Sequence, residues 1–196
     1  ILMNSSQNTN TDILLAIYRD QASVYRLKDI AMLVNEPDFT SLNAKLNYYV
    51  RSGRLLNPRK GIYTKPGFTA EEIACKLYTP SYLSLQYVLQ RSGIIFQYDS
   101  AVTSISYLSR AVDIGGQAFV YRKMQGSVLV NTSGILREKG VNIATAERAF
   151  LDLCYLDRDF YFDNLHPLNR RMISELLPVY QNAALTKRVT TLILND

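Results

Sequence analysis

The stretch from Asp38 to Lys65 constrains the fold most, because it predicts a helix followed at once by a two-stranded hairpin. Its first half has apolar residues at three- and four-residue steps, the spacing of one buried helix face: Phe39, Leu42, Leu46, Tyr49 and Val50. We expect Asp38 to cap the start of this helix and Gly53 to end it. Residues 54–56 and 62–64 then predict two strands, separated by the bend-tolerant turn 57–61.

The helix face opposite the apolar residues carries residue types that read DNA bases. Arg can bind guanine and Asn can bind adenine through two hydrogen bonds, while small side chains can approach thymine methyl groups. The residues predicted to read bases are Thr40, Ser41, Ala44, Asn47, Tyr48 and Arg51.

Charge along this stretch points to the same partner. Residues 39–69 contain six basic residues and no acidic one. Such a surface attracts a phosphate backbone and releases counterions on contact. The residues predicted to bind phosphates are Lys45, Arg54, Arg59, Lys60 and Lys65. The alternative is that helix and hairpin form only a packed corner of a small domain, with these charges as ordinary solvated groups.

The predicted fold class is α+β, with an N-terminal winged helix-turn-helix followed by a mixed α+β domain. A chain of 196 residues with 47% hydrophobic content is long enough for two cores. We predict a disordered tail over residues 1–10, a DNA-binding domain over 11–66 and a second domain over 67–196. Two further helices are expected before the hairpin, one capped by Thr11 or Asp12 and one ending at residues 35–37. Of the net charge of +5, the first 69 residues supply +4, from nine basic and five acidic residues.

The second domain is predicted to run from helices to strands and back to helices. Thr69 and Glu72 have the spacing of a capping box, and Thr145 is expected to cap a helix over 146–156. Other helices are predicted from Thr79-Pro80 to Gly93, from His166-Pro167 to Pro178, and over 184–194. Strands are predicted over 101–107, 117–123, 128–131 and 141–144, with Gly115-Gly116 as the turn between the first two.

Candidate catalytic and metal-binding residues are few, so we predict no catalytic site, no metal and no cofactor. Cys75 and Cys154 lie far apart without neighbouring histidines, which favours free thiols in a reducing cytoplasm. His166 is interpreted as a helix-start residue rather than a general base. The acidic residues near the helix over 146–156 are interpreted as a solvated helix end: Glu147, Asp152, Asp157, Asp159 and Asp163. No apolar run is long enough to span a bilayer, which predicts a soluble cytoplasmic protein.

A second basic surface is equally possible in the second domain. It would consist of Arg122, Lys123, Arg137, Lys139, Arg148, Arg170 and Arg171. If these residues share a face with the hairpin, a DNA footprint would extend over both domains. Otherwise they are scattered solubility charges.

The order of motifs resembles the AbiEi family of antitoxins from type IV toxin-antitoxin systems of abortive phage infection. The resemblance covers about residues 10–160 and rests on RKGIYTKPG, TPSYLSLQYVLQRSGII, VTSIS, FVYRKM and VNIATAERAFLDLCYL. It implies a winged helix that represses the protein's own operon by binding inverted repeats of double-stranded DNA. We expect the protein to bind DNA as a monomer or weak dimer. The resemblance also implies that the second domain counteracts a nucleotidyltransferase toxin, which the antitoxin need not bind directly.

Two alternatives remain open from the residues alone. The second domain is a nucleic-acid-processing enzyme that the winged helix targets to its substrate, or the chain is a protein-protein adaptor whose winged helix does not bind DNA. Metal-dependent turnover of DNA or RNA that requires Asp152 would favour the enzyme.

Overall fold

The computed structural model describes residues 12–194, so the predicted tail over residues 1–10 lies outside the described residues. The chain divides into two compact units, one ending at Phe68 and the other beginning at Thr69. Both units combine helices with a sheet, and the chain is therefore α+β. None of the helices within residues 12–194 has the length and apolar character needed to cross a membrane.

The first unit packs three helices against a small antiparallel sheet. Its elements are α1 (Ile13–Arg19), β1 (Val24–Arg26), α2 (Leu27–Val34), α3 (Phe39–Arg51), β2 (Leu56–Arg59) and β3 (Ile62–Thr64). The strands lie in the order β1-β3-β2, so the hairpin strand β3 is central. The core is built from apolar residues of every helix and of the sheet: Ile13, Ile17, Tyr25, Ile30, Ala31, Leu42, Leu46, Leu55 and Tyr63.

Aspartate side chains cap the N-termini of α1 and α3. The Asp12 carboxylate accepts hydrogen bonds from the backbone N–H groups of Leu14 and Leu15, which fixes the start of α1. Asp38 does the same for Thr40 and Ser41 at the start of α3, as predicted. In α1 and in α3, one side chain therefore satisfies two of the free N–H groups of the first turn.

Three details of the first unit differ from the sequence prediction. Strand β1 was not predicted, since three residues are too short to show an alternating pattern. Strand β2 begins at Leu56 and includes Asn57 and Arg59, which were assigned to the turn. Phe39 was assigned to the buried helix face but is 49% exposed, because it occupies the first helical position, beyond the core contacts made by Leu42.

The second unit is built on a six-stranded sheet of mixed orientation. Its strands are β4 (Ser81–Leu83), β5 (Val102–Ser106), β6 (Arg110–Ile114), β7 (Gln117–Lys123), β8 (Ile135–Glu138) and β9 (Val141–Ala144). They lie in the order β6-β7-β5-β4-β9-β8, with β5-β7 and β4-β9 parallel and the other pairs antiparallel. Its α-helices are α4 (Ala70–Leu77), α5 (Gln86–Arg91), α6 (Gly126–Leu129), α7 (Ala146–Leu156), α8 (Arg170–Leu176) and α9 (Ala183–Leu194).

The helix predicted to open at Thr79-Pro80 is wrong over its first half. Ser81–Leu83 forms β4 instead, and the helix α5 is confined to Gln86–Arg91. All three residues of β4 are buried, and the strand pairs with β5 on one side and β9 on the other. Because its partners are distant in sequence, tertiary pairing overrides the local proline signal.

The strand order also corrects two other predictions. The strand predicted over 128–131 is wrong, since Gly126–Leu129 is helical and the next strand begins at Ile135. Gly115 and Gly116 do not join the first two predicted strands; they join β7 to β6, which was missed. In contrast, the predicted strand over 141–144 is confirmed as β9.

Several helix signals of the second unit are confirmed by hydrogen bonds. Thr69 and Glu72 form the predicted capping box, and Thr145 Oγ1 accepts from the backbone N–H of Arg148 at the start of α7. The helix predicted from His166 begins later, at Arg170, where Asn169 caps it. Pro178 does not end this region, because it lies inside a 3₁₀ helix over Leu177–Tyr180.

Helix α7 corrects two charge assignments. Arg148 was a candidate for a second basic surface, but its side chain has no exposed area. Asp152 was assigned to a solvated helix end, yet it is fully buried beside Arg148. Glu147 is also buried, and its carboxylate accepts from the backbone N–H of Asn169. These groups are therefore part of the core of the second unit.

Candidate nucleic-acid interface

The outward side of α3 is open to solvent along the face predicted to read bases. Five of the six predicted residues are exposed: Thr40, Ala44, Asn47, Tyr48 and Arg51. The aromatic side chain of Tyr48 is 60% exposed. Ser41 is half-buried on the flank of the helix. The core contacts of α3 are made from the opposite side, by Leu42 and Leu46.

The side chains of the predicted phosphate-binding residues differ in exposure and in their contacts with the rest of the unit. Arg54 and Lys60 are exposed, and Arg59 is half-buried at the hairpin. One guanidinium nitrogen of Arg59, Nη1, is buried without a hydrogen-bond partner. Lys65 is held within its own unit, since Nζ donates to the carbonyl oxygen of Asp20 at 2.6 Å. Lys60 and Arg54 are thus the more accessible cations of this group.

One carboxylate borders the basic surface. Glu36 Oε2 lies 3.9 Å from Lys45 Nζ, and Glu36 Oε1 accepts from the backbone N–H of Asp38. At this distance, and with 42% of the Lys45 side chain exposed, the pair is a weak surface contact. Glu36 therefore contacts Lys45, in the middle of α3, without cancelling the charge of the hairpin.

A cavity of about 510 Å³ lies between α3 and the β2-β3 hairpin. It is lined by residues of α2, α3 and the hairpin: Leu27, Phe39, Thr40, Asn43, Asn47, Asn57, Lys60, Gly61 and Tyr63. Asn43, Asn57 and Tyr63 were not among the predicted site residues. The signal for Asn43 was present, since it lies about 60° around the helix from Thr40. Asn57 could not be found this way, because it was assigned to a turn.

Two side-chain amides in this cavity have a defined direction. Asn57 Nδ2 donates to the carbonyl oxygens of Arg59, at 3.1 Å, and Ile62, at 2.7 Å. Because both partners are acceptors, the amide nitrogen must face them, and Asn57 Oδ1 is left as an acceptor. Asn43 is the reverse case: its Oδ1 accepts from the Tyr63 hydroxyl at 2.7 Å, which leaves its N–H₂ group as a donor. Burial raises the pKa of Tyr63, so that this hydroxyl stays protonated.

The cavity therefore presents a donor and an acceptor to a ligand, close to one cation, Lys60. A phosphate has only acceptor oxygens and would match the donor and Lys60. An adenine edge has both an acceptor, N7, and a donor, the N6 amino group. The arrangement can hydrogen-bond a group that carries both a donor and an acceptor.

The cysteine thiols and the Asp152 carboxylate, which have the chemistry for catalysis, are buried in the second unit. Among residues 12–194, no group of three or more His, Cys, Asp or Glu side chains is arranged to hold a metal. Cys75 and Cys154 are buried free thiols, and burial raises their pKa values to about 11 and about 12. Asp152 accepts hydrogen bonds from Tyr82, Ser84 and Tyr180 as well as from Arg148.

No protein-family model matches the chain, and no curated protein matches it either. Among solved structures, it is similar to the RV2827C protein from Mycobacterium tuberculosis, with a TM-score of 0.51 and 12% sequence identity. The match covers 92% of this chain and 74% of that protein. At this identity the likeness concerns the fold alone.

Proposed function

We propose that the first unit is a winged helix-turn-helix that binds double-stranded DNA. The order of its elements supports this: α1, β1, α2, α3 and then the β2-β3 hairpin. In this proposal α2 and α3 form the helix-turn-helix, α3 lies in the major groove, and the hairpin is the wing.

The observation that carries the proposal is the open face of α3 beside the basic hairpin. Asn47 and Arg51 are exposed there together with Thr40, on the side facing away from the core. Asn and Arg are the side chains that bind adenine and guanine through two hydrogen bonds in the major groove. The cavity shared by α3 and the hairpin adds oriented amide groups to the same surface.

In the proposed complex, base contacts and phosphate contacts have different roles. Thr40, Asn47, Tyr48 and Arg51 read bases, and Ala44 allows close approach of the helix. Arg54, Arg59 and Lys60 bind phosphates, which fixes the register without reading sequence. Lys45 joins this second group when its weak contact with Glu36 opens.

For the whole protein we propose a non-catalytic transcriptional repressor that acts as the antitoxin of a type IV toxin-antitoxin system. This rests on the motif resemblance to the AbiEi family. The first unit would bind inverted repeats in its own operator, as a monomer or weak dimer. The second would counteract a nucleotidyltransferase toxin without a need for direct binding, in the cytoplasm.

The alternative, a nucleic-acid-processing enzyme, loses its best candidate acid. The Asp152 carboxylate is completely buried and is engaged by Arg148, Tyr82, Ser84 and Tyr180. A general acid or metal ligand must reach substrate. Incubation with labelled DNA or RNA and Mg²⁺ should give no turnover. Cleavage that is lost in an Asp152→Asn variant whose circular dichroism matches the wild type would favour the enzyme.

The DNA-binding proposal is tested by selecting duplexes from a random library and measuring affinity for the enriched sequence. Arg51→Ala should lose about 1–3 kcal/mol at that sequence and discriminate less between it and random DNA. Arg158→Ala, an exposed arginine of the second unit outside the candidate basic residues, is the matched control and should bind as the wild type does. Failure to enrich any sequence, or equal affinity of both variants, would reject the proposal.

A further inference from the structure

The second unit contains a cavity whose walls are rich in hydrogen-bond acceptors. It has a volume of about 430 Å³ and lies beside α4, α5 and the loop that leads into β5. Four acceptor side chains line it: Glu71, Gln90, Asp99 and Gln117. Ligand sites of small molecules fall in the same size range, about 300–1,000 Å³.

Both glutamine amides have their nitrogen bound to backbone. Gln117 Nε2 donates to the carbonyl oxygens of Ser100, at 2.7 Å, and Ala118, at 3.0 Å. Gln90 Nε2 donates to the carbonyl oxygen of Gln97 in the same loop. Two carbonyl oxygens cannot hydrogen-bond to each other, because both are acceptors. Each amide must therefore point its nitrogen towards the backbone carbonyl. The side-chain oxygens of Gln90 and Gln117 are left as acceptors.

The two carboxylates add negative charge to these oxygens. Asp99 Oδ1 accepts from the backbone N–H of Ala101 at 2.8 Å, which holds the side chain in place. Glu71 accepts from the Tyr87 hydroxyl. Burial alone raises the pKa of Glu71, but this hydrogen bond and the charge of Arg91 outweigh it, and the pKa lies below its ordinary value. Glu71 is therefore ionised at neutral pH.

One wall already holds a planar cation. The Arg91 guanidinium carbon lies 3.6 Å from the centroid of the Tyr87 ring, and its Nη2 lies 3.6 Å from Glu71 Oε1. This is a cation-π contact combined with an ion pair. Tyr98, which is 86% exposed, supplies a second aromatic surface in the lining. Stacking and charge thus favour ligands that carry a delocalised or compact positive charge.

We propose that this cavity binds an organic cation: an ammonium or guanidinium group on an aliphatic stem. The cation would donate to Asp99 and to the oxygens of Gln90 and Gln117, while its stem lies against Ala70 and Val102. Such a group is carried by a free polyamine or by a Lys or Arg side chain of another polypeptide. Nucleic acid is disfavoured, because its phosphate oxygens would meet the acceptors of Asp99, Gln90 and Gln117, while Arg91 already pairs with Glu71.

Calorimetric titration of the full chain with three probes tests this. Spermidine represents the free polyamine, N-acetyl-arginine amide represents a polypeptide side chain, and N-acetyl-citrulline amide is the uncharged match of the second probe. At least one cation should saturate a single site, and citrulline amide should bind at least about tenfold more weakly than arginine amide if the latter binds. Saturation by spermidine alone identifies a polyamine site, and saturation by arginine amide alone identifies a polypeptide site.

Three variants connect binding to this cavity. Asp99→Asn should weaken the bound cation about tenfold. Glu138→Gln removes the same charge from the exposed strand β8 and should leave the affinity unchanged. Arg91→Ala removes a competing positive charge and should strengthen binding.

The proposal is overturned if neither cation saturates at millimolar concentration, or if Asp99→Asn and Glu138→Gln have equal effects. It is also overturned if Arg91→Ala abolishes binding, because the site would then attract anions. Asp99 is exposed, so its substitution should not unfold the unit.

Discussion

Arg148 Nε lies 3.3 Å from Asp152 Oδ1, one turn away on α7, and neither side chain has exposed surface. The rest of the Arg148 guanidinium donates to the Tyr82 hydroxyl and to the carbonyl oxygens of Val128, Asn131 and Ser133. A buried ion pair is favourable only when its other hydrogen-bonding groups are satisfied, which is the case here. The pair joins α7 to β4, to α6 and to the loop that follows it.

Removing the positive member of this pair should be costly. Arg148→Met keeps an unbranched side chain but leaves the Asp152 carboxylate buried without its counter-charge. We expect a loss of about 3–5 kcal/mol in the free energy of unfolding, measured by urea titration with circular dichroism. Arg171→Met breaks a surface pair with Glu175 and should cost less than about 1 kcal/mol. Equal losses in the two variants would show that the buried pair is not a stabilising contact.

Stability should fall in mildly alkaline solution because of the buried thiols. Burial raises the pKa of Cys75 to about 11, whereas a thiol in the unfolded chain titrates near about 8.5. The contribution is complete below the unfolded pKa and declines as pH rises, by about 1.4 kcal/mol per pH unit for each such thiol. Unfolding free energies measured between pH 8.5 and pH 10 should therefore decrease, and Cys75→Ala should reduce the slope. A slope identical to that of the wild type would contradict the burial of this thiol.

DNA binding by the hairpin should depend on the Asn57 amide, whose nitrogen donates to two carbonyl oxygens of the hairpin. Asn57→Asp places a carboxylate against the carbonyl oxygens of Arg59 and Ile62 and adds negative charge beside the proposed phosphate contacts. DNA affinity should fall at least about tenfold, measured by fluorescence anisotropy. Asn131→Asp adds the same charge in the second unit, where the side-chain oxygen only accepts from the backbone N–H of Ser133. If both variants lower the affinity equally, charge alone is responsible.

Features with a local cause could be predicted from the sequence. The caps at Asp38, Thr69 and Thr145 depend on residues within three positions, and each forms as expected. Strand β4 could not be found, since its pairing partners lie about twenty and sixty residues away. The buried pair on α7 was missed for a different reason. Asp152 was grouped with the acidic residues of a solvated helix end. It was not paired with Arg148, which has the spacing of neighbours on one helix face.

The candidate interface was predicted only in part, because some of its features are local in sequence and others depend on distant residues. Helical periodicity is local, and it identified the exposed positions Asn47 and Arg51. It could not identify Lys65 as a residue bound by its own unit, because the carbonyl of Asp20 that holds it is 45 residues away. Nor could it place Asn57 opposite α3, since that depends on how the hairpin folds back.

The most direct test of the central claim is the salt dependence of duplex binding, measured by fluorescence anisotropy for the wild type, Lys60→Ala and Lys187→Ala. Lys187 is an exposed lysine of α9 and serves as the control. If the hairpin binds phosphates, affinity falls steeply as salt rises, and Lys60→Ala flattens the slope by about one while Lys187→Ala does not. Binding that is insensitive to salt, or identical slopes for all three proteins, would contradict a DNA-binding role for this surface.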